Sequence, residues 1–457
     1  MPQPPELGGL YNELAQSSDL HRNPVIVIPG VMGSTLTQRG SGRTVWGAFD
    51  RESADPETTV GARLVALPMR LDVPLVELTD DVYASGALDR LRLSFLGLPV
   101  GVAAYVNLLL ALGIGGYRDE GLAFNGAVDY GDDHFTCFQF AYDWRRDISE
   151  NAVRLHEFIL EKKAYVEEEY RQRFGVEQPD VRFDIVAHSM GGLLSRYFLR
   201  HGGVLLPADG SLPELDWAGA QLVDKLVVVA PPNNGSADAL LNMVYGMDLG
   251  FFLPGYEAAL LGTMPGVYQL LPRPELGAIV SGDDPERRLE SALEADFWIA
   301  KGWGLASPEQ DDILERLLPG ITSKAERSRI ARDHLRKCLS RARQFFAAMD
   351  RPATLPKGVE LILAAGDSLE TPTVLAVDER GAGVWTIREE PGDGTVSRAS
   401  ALGDRRAADG PATEHKRLVS SVDWSRVMFF FEGHLGLTRD PAFIDNLLYI
   451  LLEEPRD

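Results

Sequence analysis

Short apolar runs alternate with amphipathic stretches along most of this chain. Val25-Ile26-Val27-Ile28 is continuously apolar between Pro24 and Pro29-Gly30, the pattern of a strand buried on both faces. Val181 to Val186, Lys225 to Ala230 and Val359 to Gly366 read the same way, and Phe135 to Tyr142 adds another strand. Val427-Met428-Phe429-Phe430-Phe431 is a last short strand or a loop. Helical patterns lie between them, over 103–116, where Gly115-Gly116 ends the pattern, and over 149–174, 193–200 and 443–451. Buried strands alternating with helices predict a mostly parallel α/β sheet.

The same pattern sets the organisation. Residues 1–23 read as a polar N-terminal arm, and 24–236 as the first part of the core. A turn-rich stretch of mixed polarity, 37–80, leaves the sheet as a lid excursion. Residues 237–350 hold no strong strand and read as an inserted helical cap; the core resumes over 351–457. Within the cap, Met243, Phe251, Phe252 and Tyr268 suit an acyl-chain pocket and equally suit ordinary cap core. The helix expected from Lys324 to Arg351 carries Ile330, Leu335, Phe345 and Phe346 on one side and basic residues on the other. It either packs on the sheet with a solvated basic face or docks on an anionic membrane.

No charged residue lies between Arg92 and Arg118. A membrane span, a buried core helix and a lipid-touching surface are three readings of that stretch, and Pro99, Gly101 and Asn107 weaken the first.

Chemistry enters at Ala187-His188-Ser189-Met190-Gly191-Gly192, between a buried strand and a helix. A serine on a sharp strand-to-helix turn flanked by small residues is a nucleophile elbow, the hallmark of the α/β-hydrolase fold. A hydroxyl needs a base, and the base needs an acid to orient it. This fold supplies them in the order Ser, acid, His. Two aspartates follow the resumed strand: Asp393, between glycines in Glu390-Pro391-Gly392-Asp393-Gly394, and Asp367 at the strand end. Two histidines follow Asp393. His415 lies in a charged run that suits a solvated face, whereas His434 precedes the final helix, where the base of this fold belongs. Oxyanion donors are expected from the backbone amides of Met190 and of Val31, in the loop after the first strand.

The chain has 457 residues, 45% hydrophobic and 25% charged, which is ordinary for a globular protein with a large core. Its formal net charge of −22 argues against nucleic acid as a partner and against simple attraction to anionic lipid. Cys137 and Cys338, each among apolar neighbours, read as buried free thiols. The N-terminus has no basic region followed by an apolar core, so the expectation is a cytoplasmic protein of bacterial type, at most peripheral at the inner face of the membrane. The expected reaction needs no metal or cofactor.

Five motifs occur in one order: Pro29-Gly30-Val31-Met32-Gly33-Ser34, Tyr142-Asp143-Trp144-Arg145, the elbow, Gly392-Asp393-Gly394-Thr395-Val396 and His434. Together they resemble the lecithin:cholesterol acyltransferase and lysosomal phospholipase A2 family. The resemblance runs from about residue 24 to about 451. It implies a lipid acyl-ester hydrolase or an O-acyltransferase, and favours Asp393 over Asp367 as the acid. It also offers Trp46 as a lid residue touching substrate, beside the plain reading of a packing aromatic. Two departures stand out: no secretory signal, and no cysteine between Gly33 and Cys137 to close a lid loop. Asp143 and Arg145 are expected to hold a strand end through a buried polar network. A lipase in its own cytoplasm calls for restraint by a closed lid, a regulatory partner or an oligomer. A catalytically silent scaffold on the same fold is the contrasting alternative.

Overall fold

The computed structural model describes residues 6–17, 20, 22–49, 53–87, 90–95, 98–103, 105–248, 254–406 and 417–454. Its central sheet has six strands: β1 (Val25–Ile28), β2 (Cys137–Gln139), β3 (Phe183–His188), β4 (Val223–Val229), β5 (Glu360–Gly366) and β6 (Arg426–Phe430). Their order in space is β6-β5-β4-β3-β1-β2, and every pairing is parallel. This is the α/β-hydrolase arrangement.

Period-two alternation divides the strand side chains between two cores. Ile26, Ile28, Ile185, Ala187, Leu226, Val228, Leu361 and Leu363 belong to one. Val25, Val27, Val186, Val227, Val229, Ile362 and Ala364 belong to the other. Helices α1 (Ile148–Phe174), α2 (Met190–His201) and α3 (Lys324–Met349) cover the first face with Leu155, Ile159, Leu194, Phe198, Leu335 and Phe345. Helix α4 (Pro441–Leu452) and the helix Val106–Ile114 cover the second with Leu108, Leu112, Leu447 and Leu448. Both faces are therefore apolar, which is why these strands read as unbroken hydrophobic runs.

The structure departs from the sequence pattern in several places. The N-terminal arm contains a helix, Leu7–Ala15, tied down by Tyr11, whose buried hydroxyl donates to Asp445 O at 3.1 Å. The uncharged stretch before Arg118 splits into a hairpin, Arg90–Phe95 with Leu98–Ala103, and the helix from Val106. An apolar run does not by itself choose between strand and helix, and Pro99 and Gly101 disfavour the helix. No helix among the described residues is long and apolar enough to cross a membrane. Within 237–350, Ile279–Ser281 is a short strand pairing with the hairpin Leu369–Val377 and Val384–Gly392. Three residues are too few to carry a periodic signal, and this second sheet exists only through long-range pairing.

The basic face of α3 is largely solvated, with the side chains of Lys324, Arg329 and Arg336 more than half exposed, although several of its charges are paired. Arg327 pairs with Asp311, Arg341 with Asp147, Arg343 with Glu294 and Lys337 with Asp333. Lys337 also donates to Arg70 O at 3.0 Å. Cys137 and Cys338 are buried and free.

Candidate active site

Strand β3 ends at His188 and α2 begins at Met190, leaving one residue to make the turn. Ser189 does so at φ 53° and ψ −123°, a conformation that costs free energy for any residue with a Cβ. Its neighbours hold it there: Ser189 N–H donates to Val229 O at 2.7 Å and Gly192 N–H to Ser189 O at 2.9 Å. The helix starts hard against the end of β1. A Cβ at Gly191 would lie 2.4 Å from Pro29 O, so only glycine permits the approach.

The hairpin of the second sheet leads into Asp393. Asp393 directly follows Gly392, which pairs with Leu369. Asp393 Oδ1 accepts from Thr395 N–H at 2.9 Å and Val396 N–H at 2.7 Å. Its Oδ2 lies 2.8 Å from His434 Nδ1, and His434 Nε2 lies 2.9 Å from Ser189 Oγ. The two loops are also joined through backbone, His434 N–H donating to Asp393 O at 3.0 Å. Burial works against a charged Asp393. The His434 hydrogen bond, the His434 charge and the two amides outweigh it, holding the carboxyl below the usual aspartate range.

Asp367 is engaged elsewhere, 2.9 Å from Arg398. His415 lies outside the described residues.

Val31 lies in a tight turn closed by Gly33 N–H on Gly30 O at 3.0 Å, with Met32 at φ 61°. Side chains pin this loop from several directions. Tyr142 hydroxyl donates to Pro29 O at 3.0 Å, and Trp46 Nε1–H to Met32 O at 2.6 Å. Met190 is fully buried at the N-terminus of α2, the positive end of that helix's dipole.

Trp46 is 4% exposed and packs edge-on against Trp144 and Tyr256, each with ring centroids 5.6 Å away. It braces the loop through Met32. Met243 and Tyr268 have no exposed surface; Tyr268 donates to Gly262 O at 3.0 Å and packs on Trp298. Phe251 and Phe252 lie outside the described residues. Among the described residues, no group of three His, Cys, Asp or Glu side chains could hold a metal.

Asp143 and Arg145 have no exposed side-chain surface and pair at 2.8 Å. Arg145 also binds Asp80 at 2.7 Å and caps the carbonyls of Leu64 and Val65 at 3.1 and 3.0 Å. The excursion after β1 is therefore anchored to the core over 64–80 by two buried guanidinium groups, Arg145 and Arg146, the second reaching Leu78 O at 3.1 Å and Asp80 at 3.0 Å. The bidentate grip of Arg145 on Asp143, with further donation to Asp80 and two carbonyls, uses more N–H groups than a lysine ammonium has.

Sequence reasoning passed over Tyr105 and His188. Buried Tyr105 lies 2.8 Å from both Gly30 N and His188 Nδ1. His188 was in view as the residue before Ser189, but nothing in the apolar stretch marked Tyr105 apart from its hydroxyl.

Residues 127–285 match the lecithin:cholesterol acyltransferase family model. That span holds the elbow and the Tyr-Asp-Trp-Arg motif but neither Asp393 nor His434. No curated protein matches the sequence. Among solved structures, a chain of the Tle4–Tli4 complex is 16% identical with a TM-score of 0.52, the match covering 94% of this chain and 98% of that one. At that identity the likeness is one of fold. Lipase 1 from Pelosinus fermentans is 12% identical with a TM-score of 0.35, over 95% of this chain and 100% of that one. Phospholipase PlaB from Legionella pneumophila is 14% identical with a TM-score of 0.23, over 58% of this chain and 36% of that one.

Proposed function

We propose that this chain, whose family match and fold support a lecithin:cholesterol acyltransferase/phospholipase-type α/β-hydrolase, cleaves lipid acyl esters with Ser189 as nucleophile. The observation that carries the reading is the continuous line of contacts from Asp393 through His434 to Ser189 Oγ. Ser189 Oγ attacks the ester carbonyl while His434 Nε2 takes its proton. Asp393 keeps the Nδ1–H edge of His434 oriented and stabilises the imidazolium. The amides of Val31 and Met190 receive the developing oxyanion. Collapse of the intermediate expels the alcohol, protonated by His434, and leaves Ser189 acylated. His434 then activates water, which releases the fatty acid. A second alcohol in place of water makes the same chain an O-acyltransferase.

A second observation favours a lipid substrate. Leu369, Phe431 and Leu435 are 43%, 84% and 39% exposed on the segments that carry or flank Asp393 and His434. An apolar rim beside the reacting groups suits a substrate drawn from an aggregated phase. Ser189 itself is only 5% exposed, in keeping with restraint by closure. A silent scaffold would give no reason for three polar side chains aligned at hydrogen-bond distance.

The test is acyl release from mixed phospholipid vesicles and from a soluble short-chain ester, wild type beside Ser189→Ala. Vesicle hydrolysis lost in the variant is the expected result. Equal residual turnover in both proteins would remove Ser189 from the chemistry.

A further inference from the structure

The oxyanion loop and the His434 loop come from opposite ends of the sequence, yet one chain of hydrogen bonds runs between them. Gly30 N–H donates to the Tyr105 hydroxyl oxygen at 2.8 Å. The same oxygen lies 2.8 Å from His188 Nδ1, and His188 Nε2 lies 3.0 Å from the carbonyl oxygen of His434.

Donor and acceptor rules leave one assignment. A carbonyl oxygen only accepts, so His188 Nε2 carries the hydrogen. Neutral imidazole has one N–H, so Nδ1 accepts and Tyr105 O–H donates to it. Tyr105 oxygen in turn accepts from Gly30. Every hydrogen along the path is used once. Burial, reinforced by the nearby His434 charge, pushes the His188 imidazolium down to about 3, so the ring is neutral across the working range. Burial also pushes the Tyr105 phenol up, although the Gly30 bond pulls the other way; its O–H stays in place. Neither side chain touches the line from Asp393 to Ser189 Oγ by a hydrogen bond. Their work is done through backbone.

We propose that Tyr105 and His188 are positioning residues that set the oxyanion loop and the His434 loop at a fixed separation across Ser189. The inference rests on the serine-esterase reading above. The Pro29–Gly30 peptide is then held at both ends, its carbonyl by Tyr142 and its N–H by Tyr105. That peptide immediately precedes Val31, the expected oxyanion donor. At the far end, the His434 carbonyl is held while the ring of the same residue reaches Ser189. Shifting either loop separates donors that must act on one intermediate, and a displacement of about 1 Å can cost on the order of a hundredfold in rate.

The test uses Tyr105→Phe and His188→Asn in the full chain. The first removes the central hydroxyl. The second keeps a polar group near Nδ1 but drops the link to His434. The rate of Ser189 labelling by a fluorophosphonate reports oxyanion hole and base together; short-chain ester kinetics separate kcat from KM. The expected result is labelling slowed by about tenfold or more and kcat lowered by a similar factor, with KM within about twofold. A folded Tyr105→Phe or His188→Asn protein that labels and turns over at wild-type rates overturns the proposal. If Tyr105→Phe fails to fold, His188→Asn decides the matter alone on the same readouts. Failure of the wild type to label at Ser189 would instead sink the serine-esterase reading.

Discussion

His434 Nδ1 stands 2.8 Å from Asp393 Oδ2, while Oδ1 of the same carboxylate takes the amides of Thr395 and Val396. The carboxylate is thus fixed from one side and fixes the imidazole from the other. Asp393→Asn keeps the shape but offers an amide to the wrong tautomer. The expected loss in kcat is about 10⁴-fold, measured by ester hydrolysis with folding checked by circular dichroism. The depressed Asp393 carboxyl also contributes stability above the unfolded-state value near 3.8, and this is lost as pH falls through the lower folded value. The variant should accordingly show less acid sensitivity in that window.

Gly366 ends β5 where two loops converge. A Cβ there would lie 2.7 Å from Asp393 Cβ and 2.8 Å from Glu432 O. Gly366→Ala must push the Asp393 and His434 loops outward. We expect ester turnover to fall by about ten- to a hundredfold, with a smaller effect on thermal stability. Wild-type kcat in the alanine variant would show that the loops tolerate the displacement.

Arg145 compensates a buried carboxylate and caps carbonyls of the 64–66 segment. Arg145→Ala leaves Asp143 with only the more distant Arg146, 3.6 Å away, and is expected to cost about 3 kcal/mol in urea unfolding. Amide exchange over 59–80 should accelerate ahead of that in the central sheet. Uniform acceleration would argue that the anchor is not local.

Glu150 has its carboxyl pushed up to about 7, by burial first and then by Asp147, against the pull of Arg146. A raised carboxyl favours the folded state in its neutral form. Stability from this group is complete below the unfolded value near 4.5 and is lost as pH rises through about 7. Glu150→Gln should therefore gain on the wild type over that window, by on the order of 3 kcal/mol. A difference independent of pH in chemical denaturation would refute the coupling.

The α/β-hydrolase sheet was legible because burial on both faces writes itself locally, as in Val25–Ile28 and Val223–Val229. The elbow was legible for a similar reason: one residue between strand and helix forces small neighbours, and Gly191 is small because Pro29 O is close. Residue type and chain order also singled out Ser189, Asp393 and His434. The hairpin that leads into Asp393 left little trace, since its strands are half exposed and its third strand, Ile279–Ser281, comes from far earlier in the chain. The split of the uncharged stretch after Arg92 was likewise open, because hydrophobicity without a period does not choose a secondary structure.

Sequence alone determined which side chains could do chemistry and which segments would be buried. The meeting of Tyr105 with His188, 83 residues apart, and of His188 with His434, 246 residues apart, was decided by the order of strands in the sheet. Local pattern encodes burial and turn geometry because neighbours along the chain impose them. Distances between loops depend on how the whole core packs, and no short stretch contains that information.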